Sequence, residues 1–516
     1  MQPQAAGHAP TSALEAPTLW ALIEARAAAT PDAPMLIDES GRTLTFDQFR
    51  QAAEVAAAGL HPRVTARDTV AWQLPTWIET YVLMAALARL GARSLALMPM
   101  LRTAEIVPLL RRAEVGFWCL PSSWRKTDYR ALAREVSDQV PGIVVEFCDR
   151  SLPSGDPADL PAPPSSGTES RWIFPTSGTT SEPKGVLHSD RSIMAAATAA
   201  SEVQGVRSDD RNGIAFPISH IGGVHNLAAA LSIGHTLVID EMFQPERTAE
   251  IFRRNDVTLA GGGPVFYAAY LDLQRKQPDV PILPKLRLMS GGGAPMPPAL
   301  HAQVRDEIGG LGCLQGYGMT ESCVVAMNRP GDDDRLLSHS VGKPLPSVEV
   351  RIVDASGPVP TGVDGDIRIR GASVCQGYLD ESAQPWDEEG WFKTGDIGHF
   401  DEEGYLFITG RSKDIIIRKG ENISAPELER VLGTHPDIAE VAVIGLPDPE
   451  RGERVCAVVR TDRADLSLAD IVEHCRESGL MSQKFPEQVE LIDEFPHNTT
   501  GKILKDELRR RYAAST

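Results

Sequence analysis

The segment from Trp172 to Gly185 reads WIFPTSGTTSEPKG. A short apolar strand runs here into a loop with five hydroxyl side chains and two glycines. Backbone N–H groups and hydroxyls in such a loop can surround a chain of phosphates, and Lys184 adds a positive charge. The loop is not a Walker A motif, which needs Gly before its Lys and Ser or Thr after it. A flexible surface loop is the alternative, but the residue order directly after an apolar strand favours a phosphate site.

The pattern of a short strand, a glycine-rich turn and a helix returns along the chain. We expect strands over residues 172–174, 257–260, 286–289 and 313–315, with helices near Ser192, from Val265 and near Pro298. The fourth copy runs into Gly316-Tyr317-Gly318. Strands that alternate with helices predict βαβ units and a parallel sheet. Ligands bind at the carboxyl ends of such strands, where these glycines lie.

Two further regions have different patterns. Residues 348–353, 366–370 and 405–408 alternate with period two, which predicts antiparallel strands in a small β-barrel. Beyond Arg411 we expect a small α+β domain, with a helix over 426–432, paired strands near Val441 and Val455, and a last helix from Ile503. The predicted fold is therefore α/β, with a large domain over residues 1–410 and a smaller, mobile domain over 411–516.

The bulk composition narrows the class of protein. A chain of 516 residues is too long for one compact core. It carries 51 Lys and Arg against 70 Asp and Glu, a net charge of −19, so we expect repulsion from nucleic acid and anionic membranes. Seven scattered cysteines and no signal peptide at the start favour a reduced, cytoplasmic setting. The apolar stretch over residues 77–90 contains two charges and predicts a buried helix, not a membrane span.

Several motifs together identify a family. The loop at 175–185 resembles the phosphate loop of the adenylate-forming superfamily, which includes acyl-CoA synthetases, nonribosomal adenylation domains and luciferases. Residues 315–321 (QGYGMTE) resemble its adenine and magnesium motif, and residues 391–396 (WFKTGD) its ribose motif. Residues 410–414 and 419–424 resemble its hinge and following loop, and residues 496–502 its catalytic-lysine motif. The motifs occur in the family's order over roughly residues 20–510.

The resemblance implies an ATP site with Mg²⁺. The residues expected to bind the phosphates are Thr176, Ser177, Gly178, Thr179, Thr180, Thr320 and Lys184. The adenine would lie between Gly293-Ala294-Pro295 and the turn of Gly316, Tyr317, Gly318 and Met319, since an aromatic face suits a base and glycines allow close approach. Glu321 is a hard oxygen ligand suited to Mg²⁺. Asp396 would accept hydrogen bonds from the ribose hydroxyls, and Arg411 would donate to the ribose.

The resemblance also implies two successive active conformations. Lys502 would contact the substrate carboxylate and the α-phosphate, although a lysine at a helix start is locally disfavoured. Rotation about Lys413 would then withdraw Lys502 and bring in Lys419 and Gly420, which leaves room for the pantetheine arm of coenzyme A. His220 resembles the gate beside the carboxylate, whereas His188 and His225 are expected to be structural. Ser181 departs from the family, which has Gly at that place.

The implied reaction joins a carboxylic acid to a thiol. The acid first becomes an acyl-adenylate with loss of pyrophosphate, and coenzyme A then displaces AMP. We expect an apolar, fairly bulky acid, as in ligases for cyclohexane-type or steroid-derived acids. The predicted pocket residues are His220, Ile221, Gly222, Val224, Gly291, Gly316, Met319 and Val324.

Two other functions stay open at this stage. The first is an adenylation enzyme that loads the thiol of a carrier protein. The second is a nucleotide-binding regulator without turnover, against which the joint presence of Lys184, Glu321, Asp396 and Lys502 argues. The expected partners are small molecules, without nucleic acid or a membrane span, and the sequence does not reveal an oligomeric state.

Overall fold

The computed structural model describes residues 14–176, 184–294, 296–380, 385–418, 421–448, 452–478, 480–497 and 502–513. The side chains of residues 413, 415, 417, 421 and 422 lie outside this description. Among the predicted site residues, Ser177, Gly178, Thr179, Thr180, Pro295, Lys419 and Gly420 also lie outside it, as does the side chain of the predicted hinge residue Lys413.

The helices fall in all regions of the chain. In order they are α1 (Leu19–Ala29), α2 (Phe46–Leu60), α3 (Ile78–Leu90), α4 (Thr103–Arg112), α5 (Tyr129–Gln139), α6 (Asp190–Gln204), α7 (Ile221–Ile233), α8 (Pro245–Arg254), α9 (Pro264–Lys276), α10 (Pro298–Gln303), α11 (Asp334–His339), α12 (Ala425–Leu432), α13 (Leu468–Glu477) and α14 (Lys505–Ala513).

The strands form four larger sheets and one short hairpin. In order they are β1 (Pro34–Ile37), β2 (Thr43–Thr45), β3 (Thr69–Trp72), β4 (Arg93–Ala96), β5 (Val115–Leu120), β6 (Ser123–Trp124), β7 (Thr127–Asp128), β8 (Val144–Phe147), β9 (Ser170–Thr176), β10 (Lys184–Ser189), β11 (Arg211–Ile214), β12 (Thr236–Ile239), β13 (Leu259–Gly262), β14 (Leu288–Gly292), β15 (Cys313–Met319), β16 (Ser322–Met327), β17 (Lys343–Pro344), β18 (Val348–Asp354), β19 (Gly357–Pro358), β20 (Gly365–Gly371), β21 (Gly377–Tyr378), β22 (Phe392–Phe400), β23 (Leu406–Arg411), β24 (Ile415–Arg418), β25 (Glu421–Ser424), β26 (Glu440–Asp448), β27 (Gly452–Arg460) and β28 (Gln488–Leu491).

The largest sheet has nine strands in the order β17-β16-β15-β14-β13-β11-β12-β1-β2. Strands β12, β11, β13, β14 and β15 run parallel, which confirms the βαβ prediction. The largest apolar core cluster combines residues of α1, α2, α3 and α7 with residues of both large sheets. Helix α3 is buried along its whole length, as its largely apolar sequence predicted.

The predicted glycine turns are in fact the last residues of strands. Gly262 pairs with Gly291, and Gly292 pairs with Gly316. A Cβ on Gly291 would lie 1.6 Å from the carbonyl oxygen of Gly262, so the close approach of the strands requires glycine here. For the fourth copy of the pattern, the prediction of a glycine turn that leads into a helix was wrong. Strand β15 runs through its glycines and pairs antiparallel with β16, so no helix follows directly.

The second large sheet has seven strands in the order β21-β10-β9-β4-β3-β5-β8. The sequence predicted a loop and then a helix after β9, but an additional antiparallel strand, β10, comes first. Helix α6 begins directly after it, because Ser189 and Ser192 form a capping box. Gly205 in the left-handed conformation ends α6.

Two smaller sheets complete the fold. The antiparallel strands predicted over 348–408 are present, in the order β19-β18-β20-β22-β23, and within the described residues the two end strands do not pair to close a barrel. The C-terminal sheet has the order β25-β24-β27-β26, with β28 beside β27. Helices α12 and α14 pack against β26. In the described part of the chain, we find no helix with the length and apolar character of a membrane span.

Candidate functional site

The two described ends of the phosphate loop face each other across the β9–β10 ladder. Thr176 pairs with Lys184 in the antiparallel register, so the seven residues between them connect neighbouring strands. The Nζ atom of Lys184 lies 5.2 Å from the centre of the Tyr378 ring. An ammonium group at this distance from an aromatic face is attracted to it. The predicted phosphate lysine therefore has a defined position at the start of β10.

Glu321 lies in the turn between β15 and β16 and is held by one short segment. The hydroxyl of Tyr378 donates to Glu321 Oε1 over 2.7 Å. The backbone N–H of Cys375 donates to the Glu321 carbonyl oxygen, also over 2.7 Å. Burial, together with the neighbouring Glu321 carboxylate, raises the pKa of Tyr378 far above its ordinary value, so its hydroxyl stays a donor.

His188 on β10 holds the residue next to Glu321. Its Nε2 lies 2.8 Å from the Thr320 carbonyl oxygen and its Nδ1 lies 3.0 Å from Ser192 Oγ. Because a carbonyl oxygen can only accept, Nε2 must carry the proton in neutral His188. Burial lowers the pKa of His188 to about 4, which keeps the ring neutral near pH 7. The sequence interpretation of His188 as structural missed this link to Thr320.

The predicted ribose carboxylate forms a cluster with two other predicted residues, of which Tyr317 is buried and Arg411 is half-buried. Tyr317 donates its hydroxyl to Asp396 Oδ2 over 2.5 Å, and Arg411 Nε lies 2.6 Å from Asp396 Oδ1. Asp396 is 2% exposed. Burial and the Asp396 carboxylate raise the pKa of Tyr317 well above its ordinary value. Each carboxylate oxygen has two lone pairs, so Asp396 keeps acceptor capacity for two ribose hydroxyls.

The remaining adenine residues lie at the ends of β14 and β15. Gly293 has φ +87° and is exposed, with no atom within 4 Å of where a Cβ would be. A Cβ on Gly318 would lie 2.0 Å from the carbonyl oxygen of Cys323, so the β15–β16 hairpin requires glycine there. Ala294, Gly316, Met319 and Thr320 are half-buried.

The predicted acyl pocket lies around the start of α7. His220 is half-buried and directly precedes α7, and burial lowers its pKa. A methyl group on Gly222 would lie 3.4 Å from the Phe216 ring, and one on Gly261 would lie 3.6 Å from it. Phe216, which the sequence interpretation missed, therefore fills the space between α7 and the end of β13.

Three of the predicted pocket residues are almost fully buried. Val224 is fully buried and Ile221 is 9% exposed, both within the main core cluster. Val324 is 9% exposed and packs in the cluster that contains Tyr317. Gly291 and Gly316 are half-buried, on neighbouring strands.

Polar side chains near these glycines also escaped the sequence interpretation. Gln204 at the end of α6 donates to Ser290 Oγ over 2.7 Å. Asn226 on α7 donates to the Gly222 carbonyl oxygen over 2.7 Å and accepts from Asn212 over 2.9 Å. No sequence motif could mark the pairs Gln204–Ser290 and Asn212–Asn226, because their members come from different elements.

The predicted catalytic lysine lies beside a fixed backbone bridge. His497 and Ile503 form this antiparallel bridge, and the Leu504 N–H donates to the Pro496 carbonyl oxygen over 2.8 Å. Lys502 is half-buried next to Ile503. His497 Nε2 lies 2.7 Å from Glu440, which ties the bridge to β26.

Contacts around the predicted hinge involve strand β23 and the C-terminal helices α12 and α14. Ser424 caps α12 and donates to the Thr409 carbonyl oxygen over 2.8 Å. Arg509 on α14 lies 3.1 Å from Asp414, the residue after Lys413.

The donor set of the site suits a magnesium ion shared with phosphates. Within the described residues there is no group of three or more His, Cys, Asp and Glu side chains that could hold a metal ion. Mg²⁺ commonly binds through one or two carboxylates, phosphate oxygens and water. Glu321 beside the phosphate loop fits this mode.

Comparison with known proteins gives two family matches. The model of the family described as AMP-binding enzyme matches residues 23–379. The model described as AMP-binding enzyme C-terminal domain matches residues 427–502.

Individual relatives cover almost the whole chain. A medium-chain fatty-acid–CoA ligase of Escherichia coli K12 is 31% identical, over 94% of this chain and 88% of its own. The 3-[(3aS,4S,7aS)-7a-methyl-1,5-dioxo-octahydro-1H-inden-4-yl]propanoyl:CoA ligase of Rhodococcus jostii RHA1 is also 31% identical, over 90% and 93% of the two chains. The crystal structure of ATP-bound MatB from Rhodopseudomonas palustris superposes with a TM-score of 0.87 at 26% identity, over 97% and 99%.

Proposed function

The chain belongs to the AMP-binding enzyme family, and from this premise we propose that it is an AMP-forming acid–thiol ligase that activates a bulky, mainly apolar carboxylic acid. ATP and coenzyme A are the co-substrates, and Mg²⁺ is the metal. One observation carries the nucleotide half of the proposal. Tyr317 and Glu321 lie four residues apart, and one is bonded to Asp396 while the other is linked through Tyr378 to Lys184.

This arrangement supports an extended nucleotide across the end of β15. The buried Asp396 and Tyr317 would hold the nucleoside, and Lys184 and Glu321 would face the phosphates. Magnesium bound at Glu321 would neutralise phosphate charge.

In the first step, a carboxylate oxygen of the acid attacks the α-phosphorus. The bond from that phosphorus to the bridging oxygen breaks, and pyrophosphate leaves with its electron pair. The protein needs no covalent intermediate here, because it positions the reactants and stabilises developing charge. Thr176, Lys184 and Lys502 would supply the positive and hydrogen-bonding groups, and His220 would border the carboxylate.

In the second step, the thiolate of coenzyme A attacks the acyl carbon and AMP leaves. We propose that the region from residue 411 onward rotates about Lys413 between the two steps. Lys502 then withdraws, and Lys419 and Gly420 enter. Within the described residues, β23 leads into the predicted hinge and Ser424 donates to the Thr409 carbonyl oxygen there, so the rotation would act at this place.

The acyl side supports a bulky acid. Gly222 on α7 and Gly261 on β13 both face the Phe216 ring, which would form an apolar wall for the acid. The Rhodococcus relative is named for an acid with two fused rings. We therefore propose a ring-bearing acid.

The test is a pyrophosphate-release assay over a panel of carboxylic acids, with coenzyme A added in a second stage. We expect ring-bearing acids to give the highest kcat/KM and the acyl-CoA to appear by mass spectrometry. Acetate as the best acid would refute the acid class. Pyrophosphate release without acyl-CoA would instead favour a carrier-protein thiol as the acceptor.

A further inference from the structure

Tyr378 contacts Lys184 and Glu321, two charged residues of the proposed site that lie far apart in the sequence. Its ring centre is 5.2 Å from Lys184 Nζ, and its hydroxyl is 2.7 Å from Glu321 Oε1. We propose that Tyr378 is a positioning residue that keeps Lys184 and Glu321 apart, and so determines how tightly the protein binds ATP together with Mg²⁺. This inference rests on the proposed Mg²⁺–ATP site.

The backbone around Tyr378 is fixed against the strand that carries Lys184. Val186 pairs with Tyr378 in the β10–β21 ladder, so Lys184 is its diagonal neighbour on the same face. The Leu379 N–H donates to the Gly185 carbonyl oxygen over 2.8 Å. A Cβ on Gly185 would lie 2.4 Å from Leu379 Cδ1, so the Leu379 side chain packs directly on this glycine.

The same segment fixes Glu321 from the other side. The Cys375 N–H holds its backbone and the Tyr378 hydroxyl holds its carboxylate. His188, also on β10, holds the Thr320 carbonyl oxygen. Strands β10 and β21 thus form one frame of paired backbone. This frame positions both Lys184 in the seven-stranded sheet and Glu321 in the β15–β16 turn of the nine-stranded sheet.

The physical need for this frame follows from the charges. A lysine and a glutamate in one site attract each other and tend to form an ion pair. Such a pair would use the ammonium needed by phosphate and the carboxylate needed by Mg²⁺. The Tyr378 ring holds the ammonium group, and the Tyr378 hydroxyl holds one carboxylate oxygen, so neither charge has to pair with the other. The second carboxylate oxygen is then left for the metal.

Two substitutions separate the two contacts. Tyr378→Phe keeps the ring and removes the hydroxyl, whereas Tyr378→Leu removes both. Tyr405 supplies a matched control, because its hydroxyl donates to Asp332 over 2.7 Å and its ring centre lies 4.4 Å from Lys343 Nζ, away from the site. Tyr405→Phe therefore makes the same chemical change in a comparable environment.

The measurement is calorimetric binding of ATP with and without Mg²⁺, and of AMP, without any acid present. We expect Tyr378→Phe to weaken ATP binding with Mg²⁺ about tenfold, as for a lost hydrogen bond to a charged group. Tyr378→Leu should lose a further two- to fivefold. AMP binding should stay within twofold for both, and Tyr405→Phe should change neither ligand.

Further Mg²⁺ should restore ATP binding in Tyr378→Phe, since the hydroxyl acts through the metal ligand. Equal losses for AMP and for ATP with Mg²⁺ would show a merely structural role and overturn the proposal, as would an unchanged affinity or no restoration by Mg²⁺. Because no acid is used, failure of every acid in the pyrophosphate assay would count against the proposed function and leave this test intact.

Discussion

The nucleotide side and the acyl side of the site are built in different ways. On the nucleotide side, Lys184, Glu321 and Asp396 each have a tyrosine partner at a defined distance, and each tyrosine comes from a distant part of the chain. On the acyl side, Phe216 fills a gap between Gly222 and Gly261, and no formal charge lies among these three residues.

The difference teaches which changes each side tolerates. Charges that are fixed by directional bonds lose their function when one atom is removed, because a buried partner is then left unsatisfied. A space bounded by glycines and one ring changes gradually with volume. We therefore expect single substitutions on the nucleotide side to weaken nucleotide binding strongly. Substitutions on the acyl side should instead change the preferred size of the acid gradually.

The largest expected effect comes from Lys502, which belongs to neither side. Lys502→Ala should slow acyl-adenylate formation about 10²- to 10³-fold, because one preorganised positive donor is lost. Thioester formation from supplied acyl-adenylate and coenzyme A should stay within a few-fold. The two half-reaction assays measure this, and Gly420→Leu should give the reverse pattern.

A suitable control is Lys484→Ala, which removes a lysine paired with Glu427 at 2.6 Å in the same C-terminal region. It should spare both half-reactions. Equal losses in both steps for Lys502→Ala would contradict the two-conformation mechanism.

Asp396→Ala should give the next largest effect and should be confined to the nucleotide side. It removes the acceptor for two ribose hydroxyls, so the KM for ATP should rise about 10- to 100-fold while the KM for the acid changes little. Steady-state kinetics with each substrate varied measure the split. Asp332→Ala, which removes the acceptor of Tyr405, is the matched control. A normal KM for ATP would mean that Asp396 is only structural.

Phe216→Ala should affect only the acyl side. The removed ring opens the space beside Gly222 and Gly261, so the ratio of kcat/KM for a large acid over a small one should rise about tenfold. The KM for ATP should not change. Phe243→Ala removes another half-buried ring, which packs on Phe266, and should leave the ratio unaltered. An unchanged ratio in Phe216→Ala would place the acyl group elsewhere.

The smallest effect on activity is expected from His188→Gln, because a glutamine amide can still donate to the Thr320 carbonyl oxygen. At pH 7, activity should stay within about threefold, since only one neutral donor is exchanged for another. The difference should instead appear in stability at acid pH.

The sign follows from the pKa of His188, which burial lowers from 6.5 to about 4. Below pH 6.5 the unfolded chain takes up a proton that the folded protein refuses, so stability is lost as the pH falls toward 4. His188→Gln should therefore lose about 2 kcal/mol less between pH 7 and pH 5 in urea unfolding. His339→Gln, at an exposed position, is the control. Identical acid losses in both variants would contradict the prediction.

Much of the fold could be predicted from local pattern. The apolar runs and their periods located the parallel strands, the buried helix α3, and the antiparallel strands from residue 348 onward. The pattern could not reveal which strands pair with each other. Strands β10 and β16 follow glycine- and hydroxyl-rich stretches that also suit turns, and only a neighbouring strand makes them extended.

The sequence by itself determined which side chains we propose for the nucleotide side. Lys184, Tyr317, Glu321, Asp396 and Arg411 were all identified by motif, because charge and aromatic character are properties of single residues. Only the tertiary structure decided that Tyr378 contacts Glu321, that His188 contacts Thr320, and that Phe216 lies between Gly222 and Gly261. Tyr378 is 57 residues from Glu321, and His188 is 132 from Thr320. A hydrogen bond or a filled gap depends on the positions of two elements, and only folding brings those elements together.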